Sequence, residues 1–469
     1  MNEDICFADA TELARRIRDK QVSPVEVMNA HLERISAINP KLNAVVAIAD
    51  DALDKAREAE QALMKGEDVG PLHGVPFTCK DAFDVAGVLA TRGSKLFEHH
   101  IAETDATSVA RLKHAGGIFL AKTNVPEFVL WWETDNRVFG RTNNPWNTDL
   151  TPGGSSGGEA AAIATGASPL GIGSDLGGSI RMPSHYCGVV GLKPTHGRVP
   201  LTGHWPQALL RANHVGPMAR TVRDISLALR LMSGPDGVDH NCIPVEPPVT
   251  PESAATPLKL RVGWLADGAF APVDPEVRAV VQKAAASLRS AGCAVEHVDL
   301  PVLAENPGPA VSGPVWGLET GYYFEPFVKG RESELYPFMK QRLANPWPDV
   351  REYLKALERW EAIRHAMTAY FREYDLLLCP TVSIPAYAHG LTELTIDGTA
   401  VLGRQVLNST LPFNLTGSPA LSLPFGMNAD GLPIGVQIVG RHFDENTVLR
   451  AALALEEVSE VRDLHPPLP

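Results

Sequence analysis

Gly153-Gly154-Ser155-Ser156-Gly157-Gly158-Glu159-Ala160-Ala161-Ala162-Ile163-Ala164 leads, past Gly166, into Leu170-Gly171-Ile172 and then Gly173-Ser174-Asp175-Leu176-Gly177-Gly178-Ser179-Ile180-Arg181. Glu159 to Ala164 is a strong helix former closed by Gly166, which sets the Gly153 to Gly158 loop at a helix N-terminus with its backbone N–H groups free to donate. Gly166, Ser168, Pro169 and Gly171 interrupt the apolar run from Ala160 to Ile172. It therefore falls short of the roughly 20 residues that span a bilayer. It reads as a buried helix followed by a strand, with a glycine-rich loop on either side.

Upstream the same alternation continues. The apolar runs Val75 to Phe77 and Gly117 to Ala121 read as strands, and Thr107 to His114 reads as a helix between them. Lys80, in Gly74-Val75-Pro76-Phe77-Thr78-Cys79-Lys80-Asp81, then lies at a strand's exit. Ser23-Pro24-Val25-Glu26 is a helix start with Ser23 as N-cap, and the first 65 residues read as helical. Downstream, Pro244, Pro247, Pro248, Pro251 and Pro257 mark residues 244–258 as an exposed connection. Leu260 to Trp264, a helix capped by Asp274 and Pro275 and closed by Gly292, and Cys293 to Val298 make a β-α-β unit, and Gly435 to Val439 is a further strand. The pattern predicts an α/β fold.

Composition narrows the function classes. The 469 residues are 44% hydrophobic and 21% charged, with no low-complexity block, as in ordinary folded proteins. A net charge of −13 opposes attraction to phosphate backbones, so nucleic acid is not expected as a partner. The acidic start, followed by a mixed helix, shows neither a secretory signal nor a membrane anchor, so the expected location is cytoplasmic. Six scattered cysteines without paired spacing suit reduced core thiols, and the fifteen histidines read as structural or exposed.

Lys80, Ser155 and Ser179 together carry the chemistry. A serine hydroxyl attacks poorly until a neighbour takes its proton, and lysine can take it only when burial or nearby positive charge pulls its pKa down from about 10.4. A second serine could relay that proton. Gly177-Gly178 removes Cβ ahead of Ser179, so consecutive amides can turn toward one point. Such a cluster stabilises an oxyanion by about 2.7 to 4 kcal/mol per donor. Taken singly, each feature has a plainer reading: a solvated lysine, a tight glycine turn, exposed Asp175 and Arg181.

These stretches resemble the amidase signature hydrolases. The likeness runs from about Pro71 to Arg220. It takes in Thr123-Asn124-Val125-Pro126-Glu127, Asn144-Pro145-Trp146, Gly188-Val189-Val190-Gly191-Leu192-Lys193-Pro194-Thr195 and Gly216-Pro217-Met218-Ala219-Arg220. A weaker echo returns at Thr416 to Gly440. Bacterial amidases and fatty acid amide hydrolases are the most similar members. The resemblance implies α/β/α layers around a central mixed sheet in one domain over residues 1–469, with a catalytic core at 71–220 and a variable, substrate-side region at 259–469. By position it makes Ser179 the acylated nucleophile, Ser155 the bridging hydroxyl after a cis peptide bond, and Lys80 the base. It implies an oxyanion hole from the amides of Leu176, Gly177, Gly178 and Ser179. Ser156, Asp175 and Arg181 then brace the loop. Val129, Leu130 and Trp132 then line the acyl pocket, although Trp131 and Trp132 by composition read as core. Trp316, Tyr322, Tyr323 and Phe324 either cover the substrate or pack between helices.

The implied activity is hydrolysis of a linear carboxylic amide, anilide or urea-type C–N bond, with no cofactor or metal. The implied partner is a small-molecule amide, and related enzymes are often homodimers. Substrate choice is expected within residues 240–380. One alternative is the glutamine-hydrolysing subunit of a tRNA amidotransferase, which shares the triad; the tryptophans near the pocket favour a bulkier group. Other readings fail on context. Gly153-Gly154-Ser155-Ser156-Gly157 also fits a nucleophile elbow, but residues 143–149 before it are a loop by composition, not a strand. Leu176 stands where a dinucleotide fingerprint needs its third glycine, and His31-Leu32-Glu33 has no Pro-Cys-x-x-Cys to complete a zinc site.

Overall fold

The computed structural model describes residues 3–249 and 258–468. The amino-terminal strands are β1 (Val45–Ile48), β2 (Pro76–Lys80), β3 (Ile118–Thr123), β4 (Leu170–Asp175), β5 (Val190–Lys193) and β6 (His214–Ala219). Then come β7 (Arg261–Trp264), β8 (Ala294–His297), β9 (Leu376–Pro380), the small hairpin β10 (Glu393–Ile396) and β11 (Thr399–Leu402), and finally β12 (Ala420–Met427) and β13 (Pro433–Gly440). Among the described residues, eleven strands form one sheet in the order β1-β3-β2-β4-β6-β5-β12-β13-β9-β7-β8. Strand β2 runs parallel to both β3 and β4, and β7 parallel to β8 and β9, while the middle strands pair antiparallel. Every residue of β2, β3, β4, β6, β9 and β13 is buried, so helices cover both faces of the centre. This is the expected α/β class with a mixed central sheet.

Local signals act where expected. Ser23 caps the helix Pro24–Leu42 in a complete capping box with Glu26. The helix Pro275–Ser290 starts at Asp274 and joins parallel β7 and β8, which completes the β-α-β unit. The expectation of an all-helical start is corrected by β1. Asn43 ends the preceding helix in the left-handed conformation, and the β-branched Val45, Val46 and Ile48 then pair along the edge of β3. Residues 244–249 form no regular element, and 250–257 of the proline-rich connection lie outside the described residues. All six cysteines are buried free thiols. Among the described residues, no helix is long and apolar enough to cross a membrane.

The topology positions the chemistry. Lys80 is the last residue of β2 and Asp175 the last of β4, and these neighbouring strands run the same way. Their carboxyl ends therefore open into one crevice, where α/β sheets place ligands. The fully buried helix Gly157–Ala164 carries the Gly153 to Gly158 loop to the same point.

Candidate active site

Lys80 is completely buried, and its Nζ donates to Ser155 Oγ at 2.9 Å and to the Ser174 carbonyl at 3.3 Å. Burial pushes its pKa down to about 7, against the smaller opposing pull of Asp175 and Glu159. Near neutral pH this amine is thus substantially uncharged. Glu159 is also sealed from water, which raises its pKa to about 7 although it accepts hydrogen bonds from Thr78 and Thr123. Ser155 is therefore hydrogen-bonded to an amine that can be neutral near pH 7.

The loop that carries Ser155 is held from several sides. The Gly154–Ser155 peptide bond is cis, and a Cβ on Gly154 would stand 2.6 Å from the Glu133 carbonyl oxygen, so no larger residue fits there. Ser156 donates its backbone N–H to the Ser179 carbonyl at 3.1 Å and its hydroxyl to the Ser174 carbonyl at 3.4 Å. The two serine loops are thus tied to each other and to the end of β4.

Asp175 and Arg181 form a fully buried ion pair with an Oδ1 to NH2 distance of 2.9 Å. Burial alone would raise the Asp175 pKa, but Arg181 and Asn414 outweigh it and hold the carboxyl well below the usual range. Its two oxygens also accept from the amides of Gly178, Ile180 and Arg181. The guanidinium spends its other donors on the Thr410 carbonyl, Gln437 Oε1 and Asn414 Oδ1. Neither residue touches the cavity that Ser179 lines. They fix the shape of the turn that presents Ser179, where Gly178 has a φ of 134° and a Cβ would press on Thr410.

Of the four amides expected to form an oxyanion hole, one is engaged elsewhere. Gly178 N–H is already given to Asp175 Oδ1 at 2.8 Å, because the carboxylate that shapes the turn takes the amide nearest to it. The amides of Leu176, Gly177 and Ser179 have no hydrogen-bond acceptor among the described residues, and these same three residues line the cavity. The Ser179 hydroxyl is half-buried and has no hydrogen-bond partner among the described residues, so its link to Ser155 is open in this structure.

The cavity in front of Ser179 measures about 740 Å³, counting its mouth. Val129, Leu130, Trp131 and Trp132 lie together along it. The composition-based reading of the two tryptophans as core is corrected: they stack on each other at 5.0 Å and stand half-exposed beside the cavity. Trp316, Phe338, Arg342, Leu407 and Leu411 also line it, Phe338 edge-on to Trp131 at 3.6 Å. The second aromatic group divides. Trp316 reaches the cavity, Phe324 is buried against Phe128 and Trp205, Tyr323 accepts from the Gln207 amide, and Tyr322 points to solvent. No Asp or Glu lines this cavity, and the ring N–H groups of Trp132 and Trp316 and the Nε–H of Arg342 have no acceptor among the described residues.

Several participants escape the sequence reading. Ser174, Glu159 and His204 surround Lys80, with His204 Nε2 2.8 Å from Ser174 Oγ and His204 Nδ1 3.3 Å from Asn213 Nδ2. Burial, with Lys80 and Arg92 nearby, holds the His204 ring neutral. Asn414 and Gln437, which complete the Arg181 network, fall in and beside the weak echo at Thr416 to Gly440, the one signal that pointed toward them. The cavity lining also extends past residue 380, to Arg404, Leu407 and Leu411.

The chain matches the family model described as Amidase over residues 26–449. It is 36% identical over 489 residues to an acylamidase of Rhodococcus erythropolis, covering 99% of this chain and 98% of that protein. It is 35% identical over 491 residues to a glutamyl-tRNA(Gln) amidotransferase subunit of Carboxydothermus hydrogenoformans, covering 99% and 100%. The solved structure of a 6-aminohexanoate cyclic dimer hydrolase complexed with substrate superposes with a TM-score of 0.88 at 31% identity, covering 99% of each chain. By the extent of the family match and by relatives above 30% identity along its whole length, this chain belongs to the amidase family.

Proposed function

We propose that this protein hydrolyses the C–N bond of a linear carboxylic amide with a bulky apolar or aromatic acyl group, through an acyl-enzyme on Ser179. The observation that carries the reading is the 2.9 Å hydrogen bond from a sequestered, readily neutral Lys80 to Ser155, whose loop is hydrogen-bonded to that of Ser179, a serine that opens onto an apolar cavity. Rotation of the Ser179 side chain brings its hydroxyl to Ser155, which passes the proton to Lys80 as Ser179 Oγ attacks the carbonyl carbon. The amides of Leu176, Gly177 and Ser179 stabilise the oxyanion. Lys80 returns the proton through Ser155 to the nitrogen, the C–N bond breaks, and water repeats the sequence to release the acid.

Glutamine hydrolysis for a tRNA amidotransferase is the other reading the relatives suggest. The cavity weighs against it, because a free α-ammonium group would find no carboxylate on its walls. The test is Ser179→Ala. We expect loss of amide turnover by roughly 10⁴-fold or more, with fluorophosphonate labelling abolished and the thermal transition retained. A Ser179→Ala protein that keeps its activity removes Ser179 as the nucleophile, and turnover of glutamine above every aryl or alkyl amide reverses the substrate reading.

A further inference from the structure

The two serines open onto different rooms. Ser179 lines the large aromatic cavity, whereas Ser155 lines a second, smaller space of about 310 Å³ on its other side, together with Ser174, His204 and Asn213. Val129, Leu130 and Leu176 line both, so the two spaces adjoin. The smaller room narrows to a centre that accepts a body no larger than water or ammonia. Pro206, Ala208 and Leu209 also line it, and all three are buried.

We propose, resting on the amidase reading above, that this smaller chamber receives the leaving nitrogen and so restricts the enzyme to primary amides and amides of very small amines. The geometry of the intermediate requires the division. Its carbon carries Ser179 Oγ, the oxyanion, the acyl chain and the nitrogen, and the oxyanion faces the amides of Leu176, Gly177 and Ser179. The acyl chain takes the aromatic room. The nitrogen must lie within reach of Ser155, since Ser155 delivers its proton, and Ser155 lines the smaller room.

That room is equipped for ammonia. The Asn213 amide donates to His204 Nδ1, which leaves the proton on Nε2, and Nε2–H donates to Ser174 Oγ. The Ser174 hydroxyl hydrogen is then available to the lone pair of the departing amine. When the amine leaves, water takes its place. It loses a proton through Ser155 to Lys80 as its oxygen joins the acyl carbon, and Ser179 Oγ recovers that proton as the ester bond breaks.

The experiment uses the unmodified full chain and one aromatic acyl group joined in turn to ammonia, methylamine, aniline, methanol and phenol. We expect kcat/KM to fall from the primary amide to the N-methyl amide, and to be lower for the anilide by on the order of 100-fold. The ester pair separates space from reactivity: phenol is chemically the better leaving group, yet the methyl ester should be the faster substrate. Leu209→Ala should raise the ratio of anilide to primary amide turnover by about tenfold, and Ala208→Leu should lower N-methyl amide turnover relative to the primary amide. An anilide or phenyl ester cleaved as fast as its small counterpart overturns the chamber while leaving Ser179 chemistry intact. No turnover of any of the five, together with no fluorophosphonate labelling, overturns the amidase reading and the chamber with it.

Discussion

The end of the β2–β4 crevice and the helical segment Gly308–Ala344 border the same cavity and are built on opposite rules. In the first, Lys80, Ser155, Asp175 and Arg181 are each at most 1% exposed and bound into a hydrogen-bond network that closes on itself. In the second, Trp316 and Arg342 are only half-buried, their ring and Nε donors lack acceptors among the described residues, and Tyr322 stands in solvent. The contrast follows from what each must do. An uncharged lysine needs water excluded and each dipole fixed, because a misplaced polar atom in a dry site costs about 1 to 3 kcal/mol. A surface that receives an apolar group needs only shape and few competing partners, so it can stay loosely tied.

Opening the closed network should have the largest effect. Arg181→Ala leaves the Asp175 carboxylate buried without its cation and should cost about 3 to 5 kcal/mol of stability, read by thermal or denaturant unfolding. If Arg181→Ala unfolds at the unmodified protein's midpoint, the ion pair does not hold the Ser179 turn.

The next effect is electrostatic. The proposed base, Lys80, would act only when neutral and its pKa is lowered to about 7, so kcat/KM should fall about tenfold per pH unit below 7 and level off above it. Glu159 is itself about half ionised near pH 7, and that charge favours protonated Lys80, so Glu159→Gln should lower the lysine pKa and move the acid limb modestly to lower pH. A limb that stays in place, or moves up, removes Glu159 from control of the base.

The smallest effect is expected in the looser region. Trp316→Ala should change the kcat/KM ratio between a bulky and a slender acyl group by about tenfold and leave the acid limb where it was. A shift of the limb would mean that the cavity wall and the proton relay are not separate parts.

Legibility in the sequence divides along the same boundary. Lys80 at its strand exit, Ser155 before a helix and the Gly177-Gly178 turn can be read because each rests on local backbone preferences that a few residues express. Strand β1 escapes such a reading because Val45 to Ile48 is short and follows a helix, and only the open edge of β3 makes it a strand. His204 looks like any other histidine, since nothing nearby in the chain reveals that Ser174 and Asn213 will meet its ring.

The order of residues alone therefore determined the α/β class, the candidate base and nucleophile, and the net negative charge that disfavours nucleic acid, because propensity, motif and charge are local or summed properties. The tertiary structure decided which amide Asp175 would take from the Leu176 to Ser179 turn, which aromatic rings reach the cavity, and that Ser179 lines it while Ser155 lines the smaller space beside it. These depend on contacts between residues up to 256 apart, as in the Arg181 to Gln437 hydrogen bond, and only the closing of the sheet brings such partners together.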